Sequence, residues 1–386
     1  MTDVASPERL LFASTAQSFL EKEASLTRVR ELHDDGVSFD ADWWRRAAEL
    51  GWASLLVPEE LGGGSVSGGP AGGVADLALI AEQAGRSVAP GPLHPVSTVL
   101  AGLAEAPDRH TDAIEALMSG EAVASWAIYA PGRSFDPLNP GVTATPTDSG
   151  FRLDGVSDRV EAGDRCDLLL VTAHCDGAVR QFLVPTDTTG VTLTPQQSID
   201  LVKRYAAVTF DGVTVDAAAA VGTAEQTPAV IARQTRIAQI LQCAELVGVL
   251  DTVIGFTIQW AFDRYSFGRP LASYQALKHR YADLKIKLEA CRATAAAAVK
   301  AVGTRSADAD FAVSVAKSYI GENAPAMIQD CVQLHGGIGV TWEHDLHLFL
   351  RRAMLYRSMF GTPEEHNVRV YTLTKEAGSK EVESAS

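Results

Sequence analysis

Apolar residues recur at helical spacing through residues 5–55, from "SPERLLFASTAQSFLEKEA" to "FDADWWRRAAELGWASLLVPEELGGG". A Ser-Pro start with Glu in the first turn marks the first of these helices. Pro58 and Gly62–Gly64 end the stretch, and the Gly/Ser run "GGGSVSGGPAGG" (62–73) reads as a flexible loop. Helical spacing resumes in "VADLALIAEQAGRSVAP" up to Pro90, and a further helix is predicted over 97–119. Near residue 121 the period changes. "FRLDGVSDRVEAG", "DLLLVTAHC", "AVRQFLVP" and "YAAVTFDGVTV" are short β-rich runs separated by Gly, Asp and Thr. From about 223 a long amphipathic helix begins, and the remainder is nearly all helix, broken at glycines. The pattern predicts a mainly α protein with a central β domain. Its parts are an N-terminal helical domain (1–120), a β-barrel domain (121–222) and a C-terminal helical bundle (223–386). No internal repeat is visible.

Composition narrows the function. The 386 residues exceed one ordinary core. A net charge of −15 argues against non-specific nucleic-acid binding, which needs a basic surface, and predicts that any anion site is a local basic pocket. The five cysteines are scattered, odd in number and without a CxxC pair, as expected of buried reduced thiols in a cytoplasmic protein. No HExxH is present. His344 and His347 stand three apart without a supporting ligand cluster, so no metal site is predicted. Neither a signal peptide nor an 18-residue apolar run is visible, so no membrane span is expected.

Two stretches near the C-terminus carry the chemistry. "WAFDRYSFGRPLASYQALKHRYADLK" (260–285) breaks a helix at a Ser-Phe-Gly corner. "CVQLHGGIGVTWEHDLHLFLRRA" (331–353) places a Gly-Gly-x-Gly turn between helices, where a flat or phosphorylated group can approach the backbone. At this separation, and with "LGWASLLVPEELGGG" (50–64), the chain resembles the acyl-CoA dehydrogenase family along nearly its whole length. The resemblance implies an N-terminal helical domain, a β-barrel and a four-helix bundle, assembled as a tetramer. It also implies FAD, an acyl-CoA substrate and an acceptor such as electron-transfer flavoprotein. In such enzymes a carboxylate removes the proton α to the thioester while the β hydride goes to the flavin. Carried onto this chain, Arg264, Ser266, Phe267 and Gln275 fall where the family contacts the FAD pyrophosphate and adenosine. Gln333, Leu334, Gly336 and Gly337 fall on the adenine side. In the family these residues reach the FAD of a neighbouring subunit.

The departures matter equally. Where the family has Thr-Glu and a Gly-Ser-Asp turn against the flavin, this chain has "SWAIYAPGRSFDP" (125–137). Where it has Trp-Ile-Thr beside the ring, this chain has "RVEAG", with Arg159 and Glu161 at those positions. The residue before Gly-Thr, often the base, is Phe360, which cannot accept a proton. The alternative base position is Ala238. Glu245, the only acid in the apolar run 237–250, lies two helical turns beyond Ala238. Glu245 is therefore the candidate base, with an ion pair to an Arg of another helix as the equal alternative. Glu364 and Glu365 follow Pro363 and are expected to cap a helix. Arg351-Arg352, where many members have Arg-Asp, resembles the branch found in actinobacterial sterol catabolism, often built from two different subunits. Three readings stay open: one subunit of a heteromeric acyl-CoA dehydrogenase beside a homologous chain, a self-sufficient homomeric enzyme, or a non-catalytic scaffold of the same fold.

Overall fold

A computed structural model describes residues 7–384. The chain divides into two compact units, one of Pro90–Ala238 with the chain up to Leu77, the other of Ala78–Ala89 with the chain from Gln239 onward.

The first unit opens with α1 (Pro7–Glu23), α2 (Leu26–Asp34) and α3 (Ala41–Glu49). Ser25 caps α2 by accepting from the Arg28 amide, and Asp40 caps α3 by accepting from the Asp42 and Trp43 amides. The α3 apolar face buries Trp43 and Trp44, and Trp43, Trp52 and Phe19 pack ring to ring with centroids 5.4–6.4 Å apart. Further on, α4 (Gly69–Arg86) leads to α5 (Leu93–Leu103), every residue of which is buried, and then to α6 (Thr111–Ser119). The single helix predicted over 97–119 is thus two helices. Pro107 opens a short 3-10 turn between them, since proline cannot continue an α-helical ladder.

Eight strands follow: β1 (Ala124–Ala127), β2 (Val142–Pro146), β3 (Gly150–Glu161), β4 (Leu168–Cys175), β5 (Ala178–Pro185), β6 (Val191–Gln196), β7 (Tyr205–Asp216) and β8 (Ala220–Val221). They form one mixed sheet in the order β6-β7-β3-β2-β4-β5-β8, with β1 paired parallel to β4. Leu153, Val171, Phe182 and Phe210 are fully or almost fully buried in its core. The β3–β7 register shifts between Ser157 and Val160, and Arg159 takes φ +50° there, in the left-handed region.

The second unit contains the larger part of α7 (Thr227–Asp263), then α8 (Gln275–Gly303), α9 (Ala309–His335), α10 (Leu346–Ser358) and α11 (Pro363–Ser384). Between α7 and α8 the predicted corner is a miniature hairpin of β9 (Tyr265–Ser266) and β10 (Arg269–Pro270). Its two turn residues, Phe267 (φ +49°) and Gly268 (φ +77°), both have positive φ, as a tight hairpin turn demands. A Cβ on Gly85 would lie 1.9 Å from Glu245 O, and one on Gly248 would lie 1.9 Å from Glu82 O. These two glycines let residues 78–89 lie directly against α7. By length and composition α7 could cross a membrane, but 89 % of its most apolar stretch is buried inside the protein, as in a core helix.

Candidate functional site

The segment joining α10 to α11 holds Phe360 where the resemblance expects a base. Phe360 adopts φ +55°, a conformation costly for a non-glycine residue, and the surroundings hold it there. Its carbonyl accepts from Gln239 Nε2 at 2.9 Å and from His366 Nε2 at 3.1 Å. Just upstream, the buried Lys317 ammonium donates to Gln242 Oε1 (2.9 Å), Tyr356 O (2.9 Å) and Met359 O (2.7 Å). Burial pulls the Lys317 pKa down to about 8 and that of His366 down to about 4, the latter also through the Lys317 charge. Glu365 Oε2 accepts from the Thr362 amide at 2.8 Å while Thr362 Oγ1 accepts from the Glu365 amide, so the expected helix cap is a capping box. Sequence reasoning missed Lys317, Gln239 and His366. The one available signal was a lone Lys in the apolar stretch "FAVSVAKSYIG" of α9.

Glu245 is buried in α7, as is Ala238, each only 2 % exposed. One Glu245 carboxylate oxygen pairs with Arg352 of α10, and the other accepts from Tyr356 Oη at 2.9 Å. Arg352, fully buried, also donates to Val88 O at 3.1 Å. The buried carboxylate is thus held between α7 and α10, with a guanidinium on one oxygen and a phenol on the other.

The residues assigned to FAD lie at two surface corners of the second unit. At the first, Arg264 and Gln275 are exposed, Ser266 is half-buried, and Phe267 is 97 % exposed at the hairpin tip. Tyr274 Oη donates to Ser266 O at 2.7 Å, and Arg264 O accepts from the Leu271 amide at 2.8 Å, which fixes the hairpin's base. At the second, Gln333, Gly336 and Gly337 are exposed, while the Leu334 side chain is buried in the helical core. Gly336 takes φ +69° and ψ −144°, and nothing lies within 4 Å of where a Cβ would stand on either glycine. The backbone there is open to a flat ligand.

The two β-sheet stretches that depart from the family are engaged with their own surroundings. The Arg159 guanidinium stacks 4.3 Å from the Tyr129 ring, pairs with Asp158 at 3.1 Å and donates to Arg133 O at 3.3 Å. Glu161 pairs with the buried Lys203 at 2.8 Å, which also donates to Gly91 O. Tyr129 packs against Phe135 at 5.0 Å.

Comparison with known proteins decides what these features belong to. Residues 6–106 match the acyl-CoA dehydrogenase N-terminal domain and residues 229–370 its C-terminal domain. Acyl-CoA dehydrogenase IpdE2 of Mycolicibacterium smegmatis is 30 % identical over 93 % of this chain and 96 % of its own. The chain belongs to the acyl-CoA dehydrogenase family. Solved structures similar at 25 % identity or more include two that are named for a pair of chains. A steroid acyl-CoA dehydrogenase variant, Tcur3481-Tcur3483, has 26 % identity and TM-score 0.86, covering 96 % of this chain and 99 % of that one. The ChsE4-ChsE5 complex of Mycobacterium tuberculosis has 25 % identity and TM-score 0.85, covering 97 % and 99 %.

Membership of the acyl-CoA dehydrogenases makes the chain part of an FAD-dependent oxidoreductase of acyl-CoA thioesters. When bound, FAD supplies the hydride acceptor. The two exposed corners suit that cofactor: a guanidinium for phosphate at Arg264 and open glycine backbone at Gly336–Gly337. Arg159 and Glu161, by contrast, are committed to internal ion pairs. All five cysteines are free and buried, and burial pushes Cys166, Cys291 and Cys331 up to about 12, so none is a nucleophile near neutral pH. Among the described residues, no three His, Cys, Asp or Glu side chains group as metal ligands.

Proposed function

We propose that this chain is one subunit of a heteromeric, cytoplasmic acyl-CoA dehydrogenase. It lends its β9–β10 hairpin and Gly336–Gly337 turn to the FAD of a second, related chain that carries the base. The domain limits we assign are 120/121 and 222/223. The observation that carries the reading is a contrast inside one sequence. The residues that would serve a neighbour's FAD are kept, and all but the half-buried Ser266 and the buried Leu334 are exposed. Those that would serve its own flavin are replaced by the Arg159–Asp158 and Glu161–Lys203 pairs, and the base by Phe360. Two structural relatives, each named for a pair of chains, support it. The steroid named for one of them supports a steroid-like acyl-CoA as substrate. An electron-transfer flavoprotein is the acceptor we assign.

In the self-sufficient alternative Glu245 is the base. Its pairing with Arg352 and Tyr356 favours the role of an inter-helix tie instead. The deciding experiment is to purify the tagged chain with the chains that accompany it in its own cells, then measure native mass and FAD per chain. The expected result is two kinds of related chain with fewer FAD than chains. A fully active homotetramer with one FAD per chain overturns the proposal.

A further inference from the structure

Trp260, His335, His344 and Phe256 form an aromatic cluster in the helical unit, with Phe349 packed against Phe256, and none of the roles given to the two motifs uses it. His335, the last residue of α9, lies face to face with Trp260 of α7, with ring centroids 5.5 Å apart and planes at 21°. The His344 ring meets His335 edge-on at 4.6 Å, and Phe256 packs against both histidines at 5.9 Å. His335 is 6 % exposed, and its Nδ1 donates to Cys331 O at 2.8 Å.

Each member of the central pair continues into one of the two exposed corners. Trp260 O accepts from the Arg264 amide at 2.9 Å, and the Arg264 guanidinium carbon lies 5.9 Å from the Trp260 ring. His335 is bonded directly to Gly336, whose backbone has no side chain to hold it. Trp260 Nε1 is buried without a hydrogen-bond partner, so no hydrogen bond orients that indole. The end of α7 and the end of α9 therefore meet at His335, stacked on Trp260 and edge-on to Phe256, just behind the residues assigned to FAD.

We propose that His335 is a positioning residue: its ring, stacked on Trp260, holds the Arg264 corner and the Gly336–Gly337 turn in one register for FAD. This rests on the reading that both corners contact FAD. The stack suits the task because it joins α7 to α9, whereas the His335 hydrogen bond to Cys331 O acts only within α9.

The test uses the tagged chain purified with its accompanying chains. FAD release after dilution is followed by flavin fluorescence, and unfolding temperature is measured on the FAD-free preparation. His335→Ala and His335→Asn are expected to release FAD about 3- to 10-fold faster, the size of one lost aromatic contact. His335→Phe, which keeps a ring and loses the Nδ1 donor, is expected to release it at the unaltered rate. Arg264→Ala separates the two failures. If Arg264→Ala speeds release and His335→Ala does not, the positioning role is wrong while the FAD contact stands. If neither speeds release, the FAD reading itself is wrong. A His335→Phe variant as leaky as His335→Ala overturns the stacking argument. So does a His335→Ala variant that lowers only the unfolding temperature, which would make the ring a core filler.

Discussion

Glu245 poses the sharpest question at the scale of single residues. The sequence shows one acid in an apolar helix, which fits a base or a buried ion pair equally well. Its partner, Arg352, stands 107 positions away, and only folding brings the two together. Glu245→Gln would leave the Arg352 charge buried without its carboxylate, and loss of about 3–5 kcal/mol in unfolding free energy is expected. Turnover per bound FAD in the folded fraction should be unchanged. A fall of about 10²–10⁴ in that turnover would restore Glu245 as the base. The double replacement Glu245→Leu with Arg352→Leu should recover much of the stability, since a well-packed apolar pair can replace a buried ion pair.

At the scale of elements, close approach of backbones decides more than propensity does. Gly85→Ala would place a methyl 1.9 Å from Glu245 O and force α4 away from α7. The expected cost is about 1–3 kcal/mol, read by chemical unfolding. Gly255→Ala, in the same α7 with nothing within 4 Å, is the control and should be neutral or slightly stabilising. Equal effects at the two sites would show that helix propensity, and not helix contact, dominates. Other element features were open to reading in advance. The Thr362–Glu365 capping box follows from local spacing, because both partners lie within one turn. The β9–β10 hairpin did not, because two-residue strands carry no period to read.

For the whole molecule, acid stability reports on the buried histidine under Phe360. Burial, the Lys317 charge and Arg369 lower the His366 pKa to about 4, against weaker opposition from the Phe360 carbonyl and Glu365. An unfolded histidine titrates near ~6.5. Between these values the unfolded chain binds the extra proton, so the contribution is complete above pH ~6.5 and is lost as pH falls through about 4. Its size is on the order of 3 kcal/mol. Unfolding free energy measured from pH 7 to pH 4 should fall more steeply for the unaltered protein than for His366→Gln. Parallel curves would mean that His366 does not titrate in that window.

The sequence by itself determined the mainly α plan with a central β region, the Ser-Phe-Gly corner and Gly-Gly-x-Gly turn between helices, and the family. Each of these rests on local periodicity, or on residues close along the chain that fold as one corner. The helix break at Pro107 and the buried Lys317 were written in the sequence but competed with a continuous helical period that hid them. Only the tertiary structure decided that Glu245 is tied to Arg352 and Tyr356, that Lys203 neutralises Glu161, and that His335 lies on Trp260. Those contacts join residues 42 to 111 positions apart, or 75 for the ring pair by their numbers in the chain. No spacing rule spans such distances, because partner choice there depends on how whole helices and strands pack.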